Sequence, residues 1–328
     1  LSPIIKEGDS FKKIISFSYF FANISAKDAY QSKTATNITN SVLATGDWYR
    51  FYVEKSGVYK ISKGFLEQLG FNTNVDPRNI KIYGNGGRML PLLNSTSYPS
   101  DLAENAIQLI GENDGVFNNE DYILFYAEGV DNWNDESQTH VNLYADKTYY
   151  YVTSQGNEGK RIASLQQPTD ASSLAITTFD DYQFHEIDKF NIAKTGRRWF
   201  GENFNIDNSQ EFNFSVPNVV PTIPIQIQVS AGAASFAPTS FAVEANNLTI
   251  GTLTFSALSS GSGTELVVNS LPQNTTIPAS NAVTVKLTYN NSGVPTSDGY
   301  LDYIIVKSKR NLQGYGKQFR FQFRYRKL

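Results

Sequence analysis

Residues 110–121 hold a run of acidic and amide side chains that could bind a divalent cation. In an EF-hand-type calcium loop, glycine in the sixth place makes the sharp turn, and oxygen ligands occupy the first, third, fifth, ninth and twelfth places. With Gly115 in the sixth place, the candidate ligands are Glu112, Asp114, Asn118 and Asp121. The first place falls on Ile110, which cannot coordinate, and no helical pattern flanks the loop. Calcium is the one cofactor that the sequence suggests, and a plain Asp/Asn/Gly β-turn is the favoured alternative.

Two further patterns could carry chemistry, and each lacks a part that the chemistry needs. His185-Glu186 begins like the zincin motif H-E-x-x-H, but Lys189 stands where the second imidazole is required. Gly84–Gly87 (GNGG) follows a strand pattern, as a phosphate loop does, but no helix start and no Lys-Ser/Thr pair comes after it. A glycine turn is therefore the favoured interpretation. The chain has no cysteine, which excludes a thiolate metal site and a cysteine nucleophile, so we predict no catalytic residue.

Aromatic and cationic side chains supply the candidates for binding. Trp133 lies in a polar loop (AEGVDNWNDES), where its ring could stack on a sugar or pack in a core. Arg197–Trp199 lie where the sequence pattern changes, and Arg and Trp are favoured at the centres of buried interfaces. The predicted interdomain or partner contacts are Arg197, Arg198, Trp199 and Trp133. The alternation of aromatic and basic residues at 319–326 places the two kinds on opposite faces of a strand, which does not make a nucleic-acid stacking platform.

The composition is typical of a mainly β protein that works outside the cytoplasm. With 19 Tyr and 22 Phe against one Met, the chain favours sheets over helix bundles. The net charge of −3 predicts no general attraction to nucleic acid or anionic membranes. No apolar run reaches the ~18 residues that a transmembrane helix needs. The first residues do not form a signal peptide, so we expect the chain to begin after a removed signal or inside a longer precursor.

The strand and turn pattern predicts two β-rich domains, as the length of 328 residues also favours. The first, at 41–155, carries one or two short helices, and a jelly-roll-like β-sandwich follows at 196–328. Residues 1–40 are predicted to form a lead-in strand (Phe11–Ile24) and a loop, and residues 156–195 to form a connection.

Local patterns within these domains predict particular elements. Trp48–Glu54 and Val58–Ile61, joined by a Ser56-Gly57 turn, are predicted to form a β-hairpin. Ser62 is predicted to cap a short helix that ends before Gly70. In the sandwich, the predicted strands are Glu211–Val216, Ile223–Val229, Phe241–Ala245, Leu248–Phe255, Glu265–Val268, Ala282–Tyr289, Tyr300–Val306 and Gln318–Arg326.

Several phrases occur in a characteristic order along most of the chain. They are Trp48 followed by Gly57–Ile61 (GVYKI), Ile82–Pro91 (IYGNGGRMLP), Asp101–Ile107 (DLAENAI), Gly111–Gly115 (GENDG), Asp121–Ala127 (DYILFYA), Tyr144–Asp146 (YAD), Arg198–Glu202 (RWFGE) and Leu301–Ile304 (LDYI). In order and spacing they resemble the N-terminal region of the type IX secretion sortase of Bacteroidota, the PorU family, which is related to gingipain-type cysteine peptidases.

The resemblance implies a cell-surface protein held in an outer-membrane attachment complex with a β-barrel partner. The family cleaves C-terminal sorting signals from secreted cargo and joins the cargo to anionic lipopolysaccharide through a cysteine–histidine dyad. That dyad lies in a domain C-terminal to the matched region, so no catalytic residue carries over. We expect this chain to be a non-catalytic module, monomeric as a fragment, that positions or shields the downstream peptidase domain.

Two other hypotheses compete with this one. A stand-alone surface adhesin or carbohydrate-binding module is suggested by the sandwich pattern and by Trp133. A metal-assisted hydrolase is suggested more weakly by His185 and the acidic loop.

Overall fold

The computed structural model describes residues 4–7, 10–13, 40–93, 95–164, 176–194, 196–259, 266–270, 272–314, 316 and 318–321. Within these residues the chain is mainly β, as predicted, with four antiparallel sheets, a separate two-stranded hairpin and one α-helix. No helix in this part of the chain is both long enough and apolar enough to cross a bilayer.

The first half of the chain contains the hairpin and two small sheets. Its elements are β1 (Ile4–Glu7), β2 (Ser10–Lys13), β3 (Tyr49–Val53), β4 (Gly57–Ser62), α1 (Lys63–Gln68), β5 (Lys81–Tyr83), β6 (Glu104–Asn105), β7 (Gln108–Ile110), β8 (Tyr122–Ala127) and β9 (Thr148–Thr153), with 3-10 turns at Val42–Ala44, Pro77–Asn79 and Glu112–Asp114. One sheet has the strand order β3-β9-β5-β6 and the other β4-β8-β7. We call these two sheets and α1 the first sheet pair.

The core of the first sheet pair is formed mainly by apolar residues that alternate along its strands. Each strand turns every second side chain inward, so Phe51 of β3 lies beside Tyr150 of the neighbouring strand β9 and meets Phe125 of the other sheet across the core. The buried members are Phe51, Val53, Ile61, Leu66, Phe71, Ile80, Ile82, Ile107, Leu109, Phe117, Ile123, Phe125, Ala127, Tyr150 and Val152.

The short helix α1 forms as its local sequence predicts. The Ser62 hydroxyl accepts a hydrogen bond from the Phe65 N–H at 3.2 Å, which is the expected N-cap contact. Gly70 follows the helix with φ +84°, a conformation that glycine adopts without strain. Leu66 is fully buried, which attaches the helix to the core.

The predicted hairpin of residues 48–61 is wrong, although both of its strands exist. β3 pairs with β9 and β4 pairs with β8, so the chain passes from one sheet to the other between them. The corner is fixed by residues after β8: the Val130 N–H donates to the Glu54 carbonyl, and Asp131 accepts from the Ser56 N–H at 2.8 Å. These contacts replace the hydrogen bonds that a hairpin would have made.

The second half of the chain is a β-sandwich. Its strands are β10 (Thr178–His185), β11 (Asn203–Phe204), β12 (Ser209–Ser215), β13 (Ile225–Ala234), β14 (Thr239–Ala245), β15 (Leu248–Phe255), β16 (Val268–Asn269), β17 (Gln273–Ile277), β18 (Ala282–Asn290) and β19 (Asp298–Asn311). One sheet runs β10-β19-β13, with β16 and β17 both along the far edge of β13, and the other runs β12-β18-β14-β15. This is the strand order of a jelly roll, so the predicted sandwich is confirmed.

The two sheets of the sandwich bury a large shared core. Its members are Phe204, Phe212, Phe214, Val216, Val219, Ile225, Ile227, Val229, Ala231, Ala233, Phe241, Val243, Ala245, Leu253, Phe255, Ile277, Val283, Val285, Leu287, Tyr289, Leu301, Ile304 and Val306. Both sheets contribute side chains to this one core, so they pack face to face as the two layers of the sandwich.

Three strand predictions need correction or lie beyond the described residues. The predicted connection at 156–195 contains β10, which forms eight pairs with β19. The predicted last strand begins at Gln318, but residues 318–321 form no strand, and 322–326 lie outside the described residues. Of the predicted lead-in strand Phe11–Ile24, only residues 11–13, in β2, are described.

The glycine turn at 84–87 is set by close packing, and this can be tested at Gly87. A Cβ on Gly87 would lie 2.5 Å from the Gly129 carbonyl oxygen, so we expect Gly87→Ala to destabilise the protein by about 1–3 kcal/mol in urea unfolding. Gly64→Ala is the control, because a Cβ there meets no atom within 4 Å, and alanine favours the helix by up to about 1 kcal/mol. Equal stability of the two variants would contradict the packing account.

Candidate functional site

The loop between β8 and β9 joins the first sheet pair to the sandwich. We call residues 131–142 the junction loop. It is closed on itself by the Asn134 N–H, which donates to the Thr139 carbonyl at 2.8 Å. The Trp133 ring makes an edge contact with Tyr303 of β19 at 5.7 Å, so the loop lies on the outer face of the sandwich. The junction is the contact of this loop with β10 and β19.

A buried histidine–glutamate pair forms the centre of the junction. The side chains of His140 and Glu186 are each 1% exposed. Nδ1 of His140 donates to Oε2 of Glu186 at 2.6 Å, because a carboxylate can only accept, and the His140 backbone N–H donates to the same oxygen at 2.9 Å. Nε2 shares a 2.6 Å hydrogen bond with the Tyr182 hydroxyl, and Phe184 stacks on the ring at 3.9 Å. Every polar atom of the imidazole is thus satisfied.

A β-bulge in β19 places a second buried carboxylate beside this pair. Ser230 of β13 pairs with Tyr303, and Ala231 pairs with Leu301, so Asp302 is an extra residue without a partner in the ladder. Its carboxylate accepts from the Ser230 hydroxyl and from the Arg198 guanidinium, both at 2.7 Å.

Asp188 is the third acidic group of the junction and the least satisfied. Its Oδ2 is buried and has no hydrogen-bond partner among the described residues. Burial raises the pKa of Asp188 to about 7, and the charges of Glu186 and Asp302 raise it further against the opposing effect of Arg198. Burial also raises the pKa of Asp302 to about 6, although Arg198 and Ser230 favour its charged form. Asp188 and Asp302 are therefore both affected by the negative charge of Glu186 and by the positive charge of Arg198.

A small cleft opens beside the junction. It has a volume of about 310 Å³ and is lined by Asp131, Trp133, His140, Asp180, Tyr182, Phe184 and Arg320. No serine, threonine or lysine among the described residues hydrogen-bonds the His140 ring, whose two nitrogens face Glu186 and Tyr182. Burial raises the pKa of the Tyr182 phenol, so this hydroxyl is not an activated nucleophile. The arrangement ties the two halves of the chain together and does not resemble a catalytic dyad.

The four predicted contact residues lie in different surroundings. Arg197 donates to the Ser137 hydroxyl at 3.0 Å, and Trp133 contacts Tyr303, so both span the junction. Arg198 stays within the sandwich, on Asp302, with its guanidinium 5.0 Å from the centre of the Phe200 ring. Trp199 lines a shallow pocket with Asn191, Lys194 and Gly196.

The predicted calcium ligands interact with protein groups. Glu112 accepts from the Arg161 guanidinium at 2.8 Å, and Asp114 accepts from the Val116 N–H and the Asn118 amide. The contact of Asp114 with the Val116 N–H is an Asx turn, and Oδ2 of Asp121 accepts from the Asn118 N–H at 2.7 Å at the other end of the loop.

His185 and Glu186 do not act together. They lie at the end of β10 and not on a helix, and His185 pairs with Glu202 at 2.8 Å while Glu186 binds His140. In the part of the chain that the structure describes, no group of three or more His, Asp or Glu side chains is placed to hold a metal ion.

Four junction residues were not predicted as such from the sequence: His140, Glu186, Asp188 and Asp302. Asp302 could have been recognised from the sequence, because it is an acidic residue within the apolar run YLDYIIV. A carboxylate buried there needs a hydrogen-bonding or charged partner. No local sequence pattern indicates the pair of His140 and Glu186, since they are 46 positions apart and meet only when the two halves of the chain pack.

Comparison with solved structures supports one fold relationship. The crystal structure of dimeric latent PorU from Porphyromonas gingivalis matches with a TM-score of 0.65 and 21% sequence identity, over 83% of this chain and 25% of that chain. This chain thus spans about a quarter of the PorU chain that it matches, and at this identity the likeness concerns the fold. No protein-family model and no curated protein sequence matches the chain.

Two further matches are much weaker. The carbohydrate-binding module CBM36, solved with calcium and xylotriose, gives a TM-score of 0.23 at 15% identity, over 40% of this chain and 99% of that chain. The δ-endotoxin Cry8Ea1 from Bacillus thuringiensis gives 0.27 at 14% identity, over 49% and 27%. At such TM-scores neither match supports a conclusion about this chain.

The raised pKa of Asp188 predicts a pH dependence of stability. A group whose folded pKa lies above its ordinary value of 3.8 stabilises the fold fully below that value, and the contribution is lost as the pH rises through about 7. Asp188→Asn removes the titration, so we expect the variant to be more stable than wild type at about pH 8, by about 1–2 kcal/mol after allowance for solvent screening.

Urea unfolding at about pH 5 and about pH 8 measures this difference. The exposed Asp207 provides the matched control, because Asp207→Asn changes the same charge away from the junction. If the free energy of unfolding of Asp188→Asn falls as much as that of wild type between the two pH values, the ionisation of Asp188 does not destabilise the junction.

The loop contacts also predict the response to calcium. Because Arg161 and backbone N–H groups already engage the oxygens of Glu112, Asp114 and Asp121, we expect millimolar calcium to leave the melting temperature unchanged. Thermal unfolding with calcium and with a chelator tests this. A rise in melting temperature that Asp121→Asn abolishes would instead establish the calcium loop.

Proposed function

We propose that this chain is a non-catalytic N-terminal module of a PorU-like cell-surface sortase of type IX secretion. The observation that carries the proposal is the fold likeness to latent PorU over 83% of the chain, at a TM-score of 0.65. The ordered sequence phrases support the proposal independently of the fold comparison. They extend from Gly57–Ile61 in the first sheet pair to Leu301–Ile304 in the sandwich.

A non-catalytic role agrees with the side chains available. The chain has no cysteine, so it contains no catalytic cysteine. The buried histidine His140 is fully engaged with Glu186 and Tyr182, which leaves neither of its ring nitrogens for proton transfer to a substrate. We propose that the module acts by position: the junction holds the two halves at a fixed angle, so the module can position or shield a downstream peptidase domain.

The proposed location is the outer face of the outer membrane, in contact with a β-barrel of the attachment complex. Under this proposal the module meets its partners through its exposed faces, because its two cores and the junction are buried. The competing carbohydrate-binding role had Trp133 as its stacking residue. The Trp133 ring packs on His140 at 4.7 Å and on Tyr303, which favours a structural role for this tryptophan.

The proposal predicts the size and location of the native product. An epitope inserted after Gly293, in an exposed turn where a Cβ would meet no atom within 4 Å, should not disturb the fold. In the native host we expect antibody to label intact cells, and an immunoblot to show a product far larger than 36.6 kDa that contains a cysteine-peptidase domain.

A periplasmic marker on the same cells controls for leakage. Labelling that needs cell lysis would contradict the surface location. A tagged product near 36.6 kDa would contradict the proposal of a module within a larger sortase.

A further inference from the structure

The first sheet pair has an outer face that is aromatic where solvent-facing sheets are usually polar. Along β3 and β9, the residues that alternate with the core residues point outward and lie opposite one another in register, as Tyr52 does with Tyr149. Tyr52 is 50% exposed and Tyr149 is 41% exposed. The outward-facing residues of these strands are Arg50, Tyr52, Tyr149 and Tyr151.

This face continues into a groove with a volume of about 640 Å³. We call it the tyrosine groove; its principal lining residues are Leu90, Leu92, Tyr98, Tyr144, Lys147 and Tyr149. Tyr144 is 69% exposed and Leu90 is 60% exposed. A contiguous exposed apolar surface of this kind marks an interaction site on soluble proteins.

The wall of the groove is preformed by the glycine turn at 84–87. The Asn85 side chain donates to the Asp101 carbonyl and accepts from the Ala103 N–H, both at 2.9 Å. The Asn142 side chain donates to the Gly87 carbonyl and accepts from the Tyr144 N–H, also both at 2.9 Å. The side-chain amides of Asn85 and Asn142 are therefore both hydrogen-bonded to the backbone that forms the walls of the groove.

Two cations lie beside the groove over tyrosine rings. The Lys147 ammonium is 4.0 Å from the centre of the Tyr52 ring, and the Arg50 guanidinium is 4.6 Å from that of Tyr149. Neither forms an ion pair with any carboxylate of the described residues. Cations held over rings in this way remain able to attract an anion.

Two carboxylates bind residues that line the groove. Glu128 binds Arg88 through a forked contact of 2.7 and 3.1 Å, which neutralises that arginine. Glu136 accepts from the Leu92 N–H at 3.2 Å. No Asp or Glu is among the groove's lining residues. The surface therefore combines an apolar floor with two cations, Lys147 and Arg50, that form no salt bridge among the described residues.

We propose that the tyrosine groove binds an extended segment of a partner protein that carries apolar side chains next to a carboxylate. Its exposed leucines suit aliphatic and aromatic side chains, and Lys147 with Arg50 suits the carboxylate. A sugar is less favoured, because the side-chain amides of Asn85 and Asn142, which could bind its hydroxyls, are already hydrogen-bonded within the protein. The proposal deepens the proposed function and rests on it for its biological setting, since a non-catalytic module acts through contacts.

Selection from random dodecapeptides displayed on phage, with the purified chain as bait, provides the probes. Enriched peptides are synthesised with a fluorophore, and binding is measured by fluorescence anisotropy. We expect enriched sequences to place Leu, Phe or Tyr beside Asp or Glu. Lys147→Glu should weaken their binding by about tenfold or more, because the reversed charge repels the carboxylate. Tyr144→Ala should weaken it by removing apolar contact.

Lys60→Glu is the matched control. The Lys60 ammonium also lies 4.0 Å from the centre of a tyrosine ring, that of Tyr122, but in the other sheet of the first sheet pair. Melting curves establish that each variant folds. No enrichment, enrichment of basic peptides, or equal binding by Lys147→Glu and wild type would overturn the inference. A glycan-array signal lost in Tyr144→Ala would assign the groove to sugars instead. None of these results bears on the native product's size or surface location, so the two proposals fail separately.

Discussion

The buried contact between His140 and Glu186 decides how the two halves of this protein are arranged. A carboxylate removed from water is costly unless it is hydrogen-bonded, and Oε2 of Glu186 receives both of its hydrogen bonds from the single residue His140. If the junction loop moved away, Glu186 and Tyr182 would lose their partners together. These hydrogen bonds are thus kept or lost together, and they connect the first sheet pair to the sandwich.

The strands of the fold could largely be predicted because alternation of apolar side chains is a local property. β15 was predicted at Leu248–Phe255, the bounds that it has, since its pattern and turns are complete within the segment. Pairing is not local, so the strands of residues 48–61 were given the wrong partners. β10 was missed because TFDDYQFH is polar on both faces: one face lies under the junction loop, where hydrogen bonds replace apolar burial.

The candidate site was predictable only in part, for the same reason. Trp133 and Arg197 were chosen by residue type, and their contacts with Tyr303 and Ser137 bring them to the junction. The groups that determine its electrostatics, Asp188 and Asp302, have altered pKa values because of burial, which no single segment of sequence reports. The tyrosine groove likewise arises from a glycine turn, a strand and a loop that are distant in the chain.

The bulge in β19 makes Asp302 a residue that the sheet itself does not require. Leu301 and Ile304 both face the sandwich core although they are three positions apart, because Asp302 is inserted between them. Removing Asp302 would restore simple alternation and leave the remaining pairs with β13 in register. A relative of this protein could therefore be one residue shorter at this point with an unchanged fold, provided that its counterpart of Arg198 had lost its charge as well.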